Sequence, residues 1–382
     1  MESLFTLPDE YKALRESVRA LSEKKILPFA HDVDANSRFP QEASDALQAA
    51  GLFAAHVPTE FGGEGADSLG VAIIIEEVAR VCASSSLLPA VNKLGSLPLM
   101  FAGTLEQQKR WLTPLAKGKG FSYCLSESEA GSDAVAMKTK AVKSEDGWVL
   151  NGSKKWISNA GSSEFYTVLA STDPSKGAKG ITAFVVEKSD PGISFGAPEK
   201  KMGFKGSPTR EVYFDNVILN DDRRLGEIGS GFALAMKTLD HTRITIAAQA
   251  LGIAQGAFEV ATKYSHERKQ FGKEIFDFQG VQFMLADMAM EITAARELTY
   301  AAAARSERND PDLTFYSAAS KCFASDVAMR VTTNAVQILG GYGYVNDYPV
   351  ERMMRDAKLT QIYEGTNQVQ RIVMARHLED VN

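Results

Sequence analysis

The residue best placed to do proton chemistry in this chain is Glu364, within the run 361–368 that reads QIYEGTNQ. Apolar and aromatic residues precede it, and Gly365 follows it, where the missing side chain allows close backbone approach. A carboxylate between apolar walls and a helix N-terminus has the surroundings of a general base. On this run alone a solvated loop glutamate is the more ordinary interpretation, so the choice depends on the rest of the chain.

A helix is predicted to begin directly after this carboxylate. Thr366 has a side chain that caps helix N-termini, and Val369, Ile372 and Val373 recur at the spacing of a buried stripe. The positive end of such a helix lowers the pKa of a nearby carboxyl group, whereas a water-poor apolar pocket raises it. We expect ligand-driven desolvation to prevail at Glu364.

Asp240 and Arg243 lie three residues apart in a predicted helix and therefore share one of its faces. Taken alone they are most simply a local surface ion pair, which is a common and weak feature. The functional alternative is a polar clamp, in which the guanidinium fork of Arg243 holds an anionic or amide-bearing ligand.

Two further segments have the composition of ligand-binding loops. Residues 123–133 read YCLSESEAGSD, a strand that runs into small residues and hydroxyls suited to a polar cofactor edge or a phosphate. Residues 337–344 read QILGGYGY, where a helix stops at paired glycines, although a plain glycine C-cap explains this pattern too. Trp156 is either a core side chain or a wall for a planar ring.

The composition narrows the class of protein. Of 382 residues, 45% are hydrophobic and 24% charged, and the net charge of −6 argues against a general binder of nucleic acid or of anionic membranes. The three cysteines are far apart and the five histidines do not cluster, so we expect no disulfide framework, no metal site and no nucleophilic triad. The first residues lack the features of a signal peptide, and the apolar runs are too short to span a bilayer. A reducing, cytoplasmic location is therefore expected.

The residue pattern changes twice along the chain, from helical to β-rich and back to helical. This order predicts a mainly α protein with a central β domain. Residues 1–118 read as an all-helical domain. Residues 119–228 contain short β-rich runs punctuated by glycines, and we predict an antiparallel β-barrel. Residues 229–382 are rich in alanine and helical, and we predict a four-helix bundle.

Local signals place some of the elements within these domains. Asp146-Gly147 and Asn151-Gly152 are two predicted hairpin turns in the β domain. Long helices are predicted at 231–267, 280–306 and 312–340, with a proline separating the last two.

These signals occur in one order along the chain, and that order resembles the acyl-CoA dehydrogenase family. The motifs that carry the resemblance are YCLSESEAGSD at 123–133, NGSKKWISNA at 151–160, DHTR at 240–243, ERKQFG at 267–272, QILGG at 337–341 and RDAKLTQIYEGT at 355–366. They cover essentially the whole chain, and among the branches of the family they most resemble the short- and medium-chain members.

The resemblance implies FAD, bound against the β domain and shared between the subunits of a homotetramer. The matching flavin-binding positions around the β domain and after Glu364 are Tyr123, Leu125, Ser126, Gly131, Ser132, Trp156, Ile157, Ser158, Thr366, Asn367 and Gln368. Positions that would reach FAD from an adjacent subunit are Arg268, Gln279, Gln337, Ile338, Leu339, Gly340 and Gly341, and Phe271 is a further flavin-binding position. The acyl-CoA would contact Ser132, Asp240, Arg243 and Gly365.

By the same resemblance, Glu364 matches the catalytic base of most family members. Some branches place their base just before the arginine of the DHTR motif, where this chain has Thr242, which cannot serve as a base. The implied reaction is α,β-dehydrogenation of a short- or medium-chain acyl-CoA in fatty-acid or branched-chain amino-acid breakdown. Glu364 would take the pro-R α-proton while the β-carbon gives a hydride to flavin N5, yielding a trans-2-enoyl-CoA. An electron-transfer flavoprotein is the implied acceptor.

Three alternatives stay open at this point. An acyl-CoA oxidase shares the fold but is usually much longer, and an enoyl-CoA reductase would run the same chemistry backwards. A flavin-binding scaffold without dehydrogenase activity is disfavoured by the acidic charge and by the retained Glu364. The length and branching of the acyl group depend on residues at the floor of the pocket, which the sequence leaves open.

Overall fold

The computed structural model describes residues 6–145 and 147–380 and confirms a mainly α protein with a central β domain. The helices before the sheet are α1 (Asp9–Lys25), α2 (Ala30–Ala35), α3 (Gln41–Ala49), α4 (Ser68–Ala79), α5 (Ala83–Ala102) and α6 (Leu105–Ala116). The strands of the sheet are β1 (Phe121–Cys124), β2 (Lys140–Ser144), β3 (Gly147–Ser158), β4 (Phe165–Ser171), β5 (Ile181–Glu187), β6 (Ile193–Phe195), β7 (Thr209–Leu219) and β8 (Arg224–Leu225). The elements that follow are α7 (Gly231–Glu267), β9 (Lys269–Gln270), β10 (Lys273–Glu274), α8 (Gln279–Arg308), α9 (Leu313–Leu339), α10 (Val350–Thr360) and α11 (Asn367–Arg376).

The β domain is an open mixed sheet and not the closed antiparallel barrel that the sequence predicts. Its strands lie in the order β6-β7-β3-β2-β4-β5-β8, and β1 pairs with β4 off this path. The β1–β4 pairing is parallel, with Phe121 opposite Phe165. Within the described residues β6 and β8 do not pair, so the sheet does not close. Short strands separated by turn residues are common to barrels and open sheets, and for that reason the pattern alone could not separate them.

One of the two predicted hairpin turns is wrong. β3 runs without a break through Asn151 and Gly152, where its register against β7 shifts as in a β-bulge. Gly152 has a φ of +141°, and a Cβ there would lie 2.7 Å from the Cα of Thr139, so this glycine permits a close approach inside the sheet. At the other predicted turn β2 and β3 pair as a hairpin, with Ser144 opposite Gly147, while Asp146 lies outside the described residues.

The long C-terminal helices agree with their predicted limits. α7 begins and ends at the predicted residues, and α9 stops at Leu339, directly before Gly340. Together with α8 and α10 these helices pack around a core that also includes residues of α4 and α5. By length and composition α7 contains a window apolar enough to cross a membrane, but 78% of that window is buried inside the protein, as in a core helix.

The buried stripe predicted for the last helix is wrong. Ile372 is 51% exposed, and Val369 and Val373 are only half-buried. The buried residues of α11 are instead polar, namely Asn367 and Gln370. This helix turns its amide side chains inward because they bond to α9 and to the turn that carries Glu364.

Candidate active site

Glu364 lies in the turn between α10 and α11, in a left-handed backbone conformation. Its φ is +50°, and that of the following Gly365 is +89°. A non-glycine residue held in this region costs about 1–3 kcal/mol, and such residues cluster at functional sites. Thr366 caps α11 as predicted, since its hydroxyl accepts a hydrogen bond from the N–H of Val369 at 3.2 Å. The turn directs the Glu364 carboxylate toward α7.

The carboxyl group of Glu364 has the proton affinity of a base that works near neutral pH. Burial raises its pKa from 4.5 to about 7. A hydrogen bond from Thr242 Oγ1 to Oε2, 2.7 Å long, and the positive charges of Arg243 and Lys321 lower the pKa but do not cancel the effect of burial. The pKa of Glu364 is therefore raised, as predicted, and burial within the protein raises it without a bound ligand.

Asp240 and Arg243 form an ion pair in which Arg243 is buried and Asp240 is half-buried, and not an exposed surface pair. Arg243 is 4% exposed, and its Nη1 donates to Asp240 Oδ1 at 2.6 Å. Thr314 on α9 donates to the other carboxylate oxygen at 2.8 Å. The Nε–H of Arg243 is buried and has no hydrogen-bond partner in the described part of the chain. An unpaired buried donor next in sequence to Thr242 is available to a polar ligand group.

The β domain presents an aromatic wall and free hydroxyls. Trp156, near the end of β3, is 58% exposed with a φ of +64°, so it is not a core side chain. Lys155 lies 4.8 Å from the centre of its ring. Ser126 and Ser158 are half-buried, and no hydrogen bond of either hydroxyl is found among the described residues. A Cβ added to Gly131 would meet nothing within 4 Å, which leaves the loop after β1 open to a ligand.

Tyr123 brings the sheet close to the base. Its hydroxyl is buried and lacks a hydrogen-bond partner within residues 6–145 and 147–380. Burial raises the pKa of Tyr123, and the negative charge of Glu364 raises it further. Buried polar groups are nearly always hydrogen-bonded in folded proteins. The unpaired groups of Tyr123 and Arg243 therefore indicate a site completed by a polar molecule.

The other predicted residues of this region are placed less uniformly. Leu125 is half-buried, and its carbonyl accepts a hydrogen bond from Lys154 Nζ at 3.0 Å. Ile157 is part of the sheet core, whereas Ser132 and Gln368 are exposed. The side chain of Asn367 points away from the open site, because it is bonded to α9.

A second group of predicted flavin-binding residues lies at the ends of α7 and α9. Arg268 and residues 338–341 line one groove, and the Arg268 guanidinium lies 5.5 Å from the ring centre of Tyr342. Phe271 is 94% exposed, and Gln279 begins α8. No hydrogen bond or ion pair between described residues joins this group to the residues around Glu364. Their contact with a flavin held by a neighbouring subunit stays a prediction.

Two residues that bond to the backbone of the Glu364–Gly365 turn are not predicted from the sequence. Lys321 on α9 is fully buried, and its Nζ donates to the carbonyl of Gly365 at 2.8 Å. Gln370 Nε2 donates to the carbonyls of Glu364 and Gly365, at 3.1 and 2.9 Å. The available signal was a lysine on the same helical stripe as the small buried residues Ser317 and Ser325.

Comparison with known proteins agrees with this fold. Family models of acyl-CoA dehydrogenase match in order along the chain, the N-terminal domain over residues 8–119, the middle domain over 122–217 and the C-terminal domain over 229–379. The probable acyl-CoA dehydrogenase fadE25 of Mycobacterium leprae is 61% identical over 376 residues, which cover 98% of this chain and 97% of that protein. The chain belongs to the acyl-CoA dehydrogenase family and is an oxidoreductase that acts on a CH–CH bond of an acyl-CoA.

Solved structures give the same family. Butyryl-CoA dehydrogenase from Megasphaera elsdenii is 43% identical, with a TM-score of 0.95 over 99% of this chain and 100% of that one. A chain described under the electron transferring flavoprotein of Acidaminococcus fermentans is 45% identical, with a TM-score of 0.96 over 98% of this chain and 99% of that one.

FAD is the cofactor of this family, and the residues present fit a flavin. The exposed Trp156 ring offers a flat apolar surface beside the unbonded hydroxyls of Ser126 and Ser158. The buried hydroxyl of Tyr123, which has no hydrogen-bond partner among the described residues, is a further donor near Glu364. An aromatic face bordered by hydroxyl donors suits a planar ring whose edge carries hydrogen-bonding groups.

Proposed function

We propose that this protein catalyses α,β-dehydrogenation of a short-chain acyl-CoA to the trans-2-enoyl-CoA, with Glu364 as the catalytic base. The observation that carries the proposal is the raised pKa of Glu364, about 7, at a turn that faces Arg243 and Tyr123. The likeness to butyryl-CoA dehydrogenase supports a short acyl group. A base of this pKa is ionised in part at neutral pH and still has a high affinity for the proton that it takes.

The first demand of this reaction is acidity at the α-carbon. A thioester α-proton is weakly acidic, so the carbonyl oxygen needs hydrogen-bond donors that stabilise the charge developing on it. The backbone N–H groups of Glu364 and Gly365 have no hydrogen-bond partner among the described residues, and they are next to the base in sequence. We assign the thioester carbonyl to this turn. The N–H groups would then bind the carbonyl oxygen while the Glu364 carboxylate takes the proton from the neighbouring α-carbon.

The second demand is a fixed position for the base and the acyl-CoA. Thr242 holds one carboxylate oxygen of Glu364, which leaves the other oxygen free for the pro-R α-proton. Arg243 and Asp240 hold polar groups of the acyl-CoA near the base, with Ser132 and Gly365 as further contacts. FAD, when bound, accepts the hydride equivalent from the β-carbon.

The remaining assignments are part of the same proposal. Arg268, Phe271, Gln279 and residues 337–341 would reach the flavin of a neighbouring subunit in a homotetramer, and the groove lined by Arg268 and residues 338–341 supports this assignment. An electron-transfer flavoprotein is the proposed acceptor, and the structural likeness to a chain described with such a protein supports it. A reducing, cytoplasmic location is proposed on the three free and buried cysteines.

The test is anaerobic bleaching of the flavin absorbance of the purified protein by straight and branched acyl-CoAs of graded length. We expect butyryl-CoA to bleach it fastest, and we expect little peroxide release under air, which separates a dehydrogenase from an oxidase. A colourless preparation that FAD does not reconstitute, or a flavin that no thioester bleaches, would overturn the proposal.

A further inference from the structure

Lys321 is a buried amine without an acidic partner within ion-pair distance among the described residues, and burial lowers its pKa to about 7, although the charge of Glu364 opposes this shift. Its side chain is fully buried in α9, and no carboxylate lies within ion-pair distance of it in the described part of the protein. Its ammonium instead donates to two neutral oxygens, the carbonyl of Gly365 at 2.8 Å and Oδ1 of Asn367 at 2.9 Å. Burying an ammonium group costs several kcal/mol unless close partners compensate, as an order of magnitude. An apolar residue would fill this position at lower cost if packing were its only role.

The contacts of Lys321 fix the backbone that carries the base. The carbonyl of Gly365 also accepts from Gln370, and the carbonyl of Glu364 accepts from the same amide. In a trans peptide the N–H and the C=O point in opposite directions. Holding the Glu364 carbonyl against α11 therefore turns the N–H of Gly365 toward the open site, and holding the Gly365 carbonyl against α9 fixes the peptide that follows. These bonds also restrain Glu364 at its φ of +50°, a conformation that needs support from its surroundings.

We propose that Lys321 is a positioning residue for Glu364, because its buried ammonium locks the left-handed Glu364–Gly365 turn that places the carboxylate against Thr242. The inference rests on the proposed function, since it concerns the base of that reaction. Lys321 acts through the turn, and it contacts neither the carboxylate nor the place of the reacting carbons.

The ammonium has a second, electrostatic effect on the base. The titratable groups that face Glu364 are Arg243 from α7, Lys321 from α9, Tyr123 from β1 and the adjacent Tyr363. Of these, Arg243 and Lys321 lower the pKa of Glu364. Without the charge of Lys321, Arg243 alone among them opposes burial, so the pKa of Glu364 rises and less of it is ionised at neutral pH.

Two substitutions separate position from charge. Lys321→Met removes the hydrogen bonds and the charge together, whereas Lys321→Gln keeps a donor for the Gly365 carbonyl without the charge. Cys322→Ala is the matched control, because Cys322 is the next buried residue of α9 and its thiol contacts the carbonyl of Asn367 at 3.8 Å and the side chain of Arg371. The FAD-loaded proteins are mixed anaerobically with butyryl-CoA, and the limiting rate of flavin reduction is followed against pH.

We expect Lys321→Met to lower the limiting rate by about 10- to 100-fold, since small displacements of a base cost this much. Its rate–pH midpoint should rise by about one unit, while the affinity for butyryl-CoA stays near that of wild type. Lys321→Gln should recover most of the rate above its midpoint and keep the raised midpoint. Cys322→Ala should match wild type in both. In a crystal structure of Lys321→Met, Glu364 should leave the left-handed region.

The inference is overturned if wild type is bleached and Glu364→Gln is not, while Lys321→Met keeps the wild-type rate and midpoint. If Lys321→Met does not fold, Lys321→Gln decides the matter, because an unchanged midpoint in that variant contradicts the role of the charge and a raised one supports it. If no acyl-CoA bleaches wild type, the proposed function itself fails, and the inference fails with it.

Discussion

Two carboxylates of this protein, Glu127 and Glu364, end with pKa values on opposite sides of the ordinary value, although burial raises both. Burial raises the pKa of Glu127, but the charge and hydrogen bond of Lys154 at 2.8 Å, with hydrogen bonds from the N–H groups of Thr139 and Lys138, bring it below the ordinary value. Among the described residues the Glu364 carboxylate receives a single hydrogen bond, from Thr242, and burial raises its pKa to about 7. The sheet satisfies one carboxylate fully and makes it structural. The helical domain leaves the other short of partners, which keeps it able to take a proton.

The largest effect should come from removing the proton acceptor, Glu364. We expect Glu364→Gln to lower the rate of flavin reduction by butyryl-CoA by about 10²- to 10⁴-fold, the usual contribution of a general base. FAD content should stay at the wild-type level, because an amide of similar shape replaces the carboxylate. Stopped-flow absorbance measures the rate, and Glu106→Gln, an exposed glutamate of α6, is the control. A near wild-type rate in Glu364→Gln would remove Glu364 from the chemistry.

The structural carboxylate should matter for stability. Glu127→Gln leaves the buried ammonium of Lys154 without its counter-charge, and breaking such a pair costs about 3–5 kcal/mol. Chemical denaturation at neutral pH measures the loss in the free energy of unfolding. A change below about 1 kcal/mol, the value for an exposed pair, would show that Glu127 and Lys154 are not coupled as their geometry indicates.

The same substitution at Glu364 should have the opposite sign. The pKa of Glu364 in the folded protein, about 7, lies above its ordinary value of 4.5. Its ionised form is therefore disfavoured by folding, so the group lowers stability as pH rises from 4.5 to about 7 and the loss is complete above that. Glu364→Gln should be more stable than wild type by about 1–3 kcal/mol above neutral pH. That advantage should disappear in denaturation at acid pH, and a variant less stable than wild type at alkaline pH would contradict the account.

The smallest effect should come from removing the hydrogen bond that Thr242 donates to the Glu364 carboxylate. Thr242→Val keeps the shape of the side chain, and the loss of a bond to a charged group should raise the pKa of Glu364 by about one unit. The rate–pH midpoint should move upward while the rate above it changes little. Thr314→Val, which removes the hydroxyl bonded to Asp240, is a control for loss of a hydroxyl near the site. An unchanged midpoint in Thr242→Val would mean that this bond does not tune the base.

Sequence patterns correctly predicted the features that depend only on neighbouring residues. The cap at Thr366 and the limits of α7 follow from a hydroxyl before a helix and from a long apolar, alanine-rich stretch. The bulge at Gly152 and the inward amides of α11 depend on strands and helices distant in sequence, so a turn signal and an apolar stripe gave the wrong answer there. Lys321 was missed for a similar reason, because nothing near it in sequence shows that Gly365 lies over its ammonium.

The family motifs predicted more residues of the candidate site than the local residue patterns did. They led to Trp156, whose ring is exposed, and to Ser126 and Tyr123, whose hydroxyls have no hydrogen-bond partner among the described residues, whereas the interpretation of Trp156 as a core residue was wrong. The pKa of Glu364 required the three-dimensional surroundings, since it depends on how completely water is excluded and on two positive groups from different helices.

The most direct test of the account is the pH dependence of the second-order rate constant for flavin reduction by butyryl-CoA, because this constant reports the protonation state of the free enzyme. The account predicts a rate constant that rises with pH through a midpoint near 7, the pKa of Glu364, and a loss of this rise in Glu364→Gln. A rate constant independent of pH, or one whose midpoint lies at the ordinary value of 4.5, would contradict the claim that a desolvated Glu364 is the base.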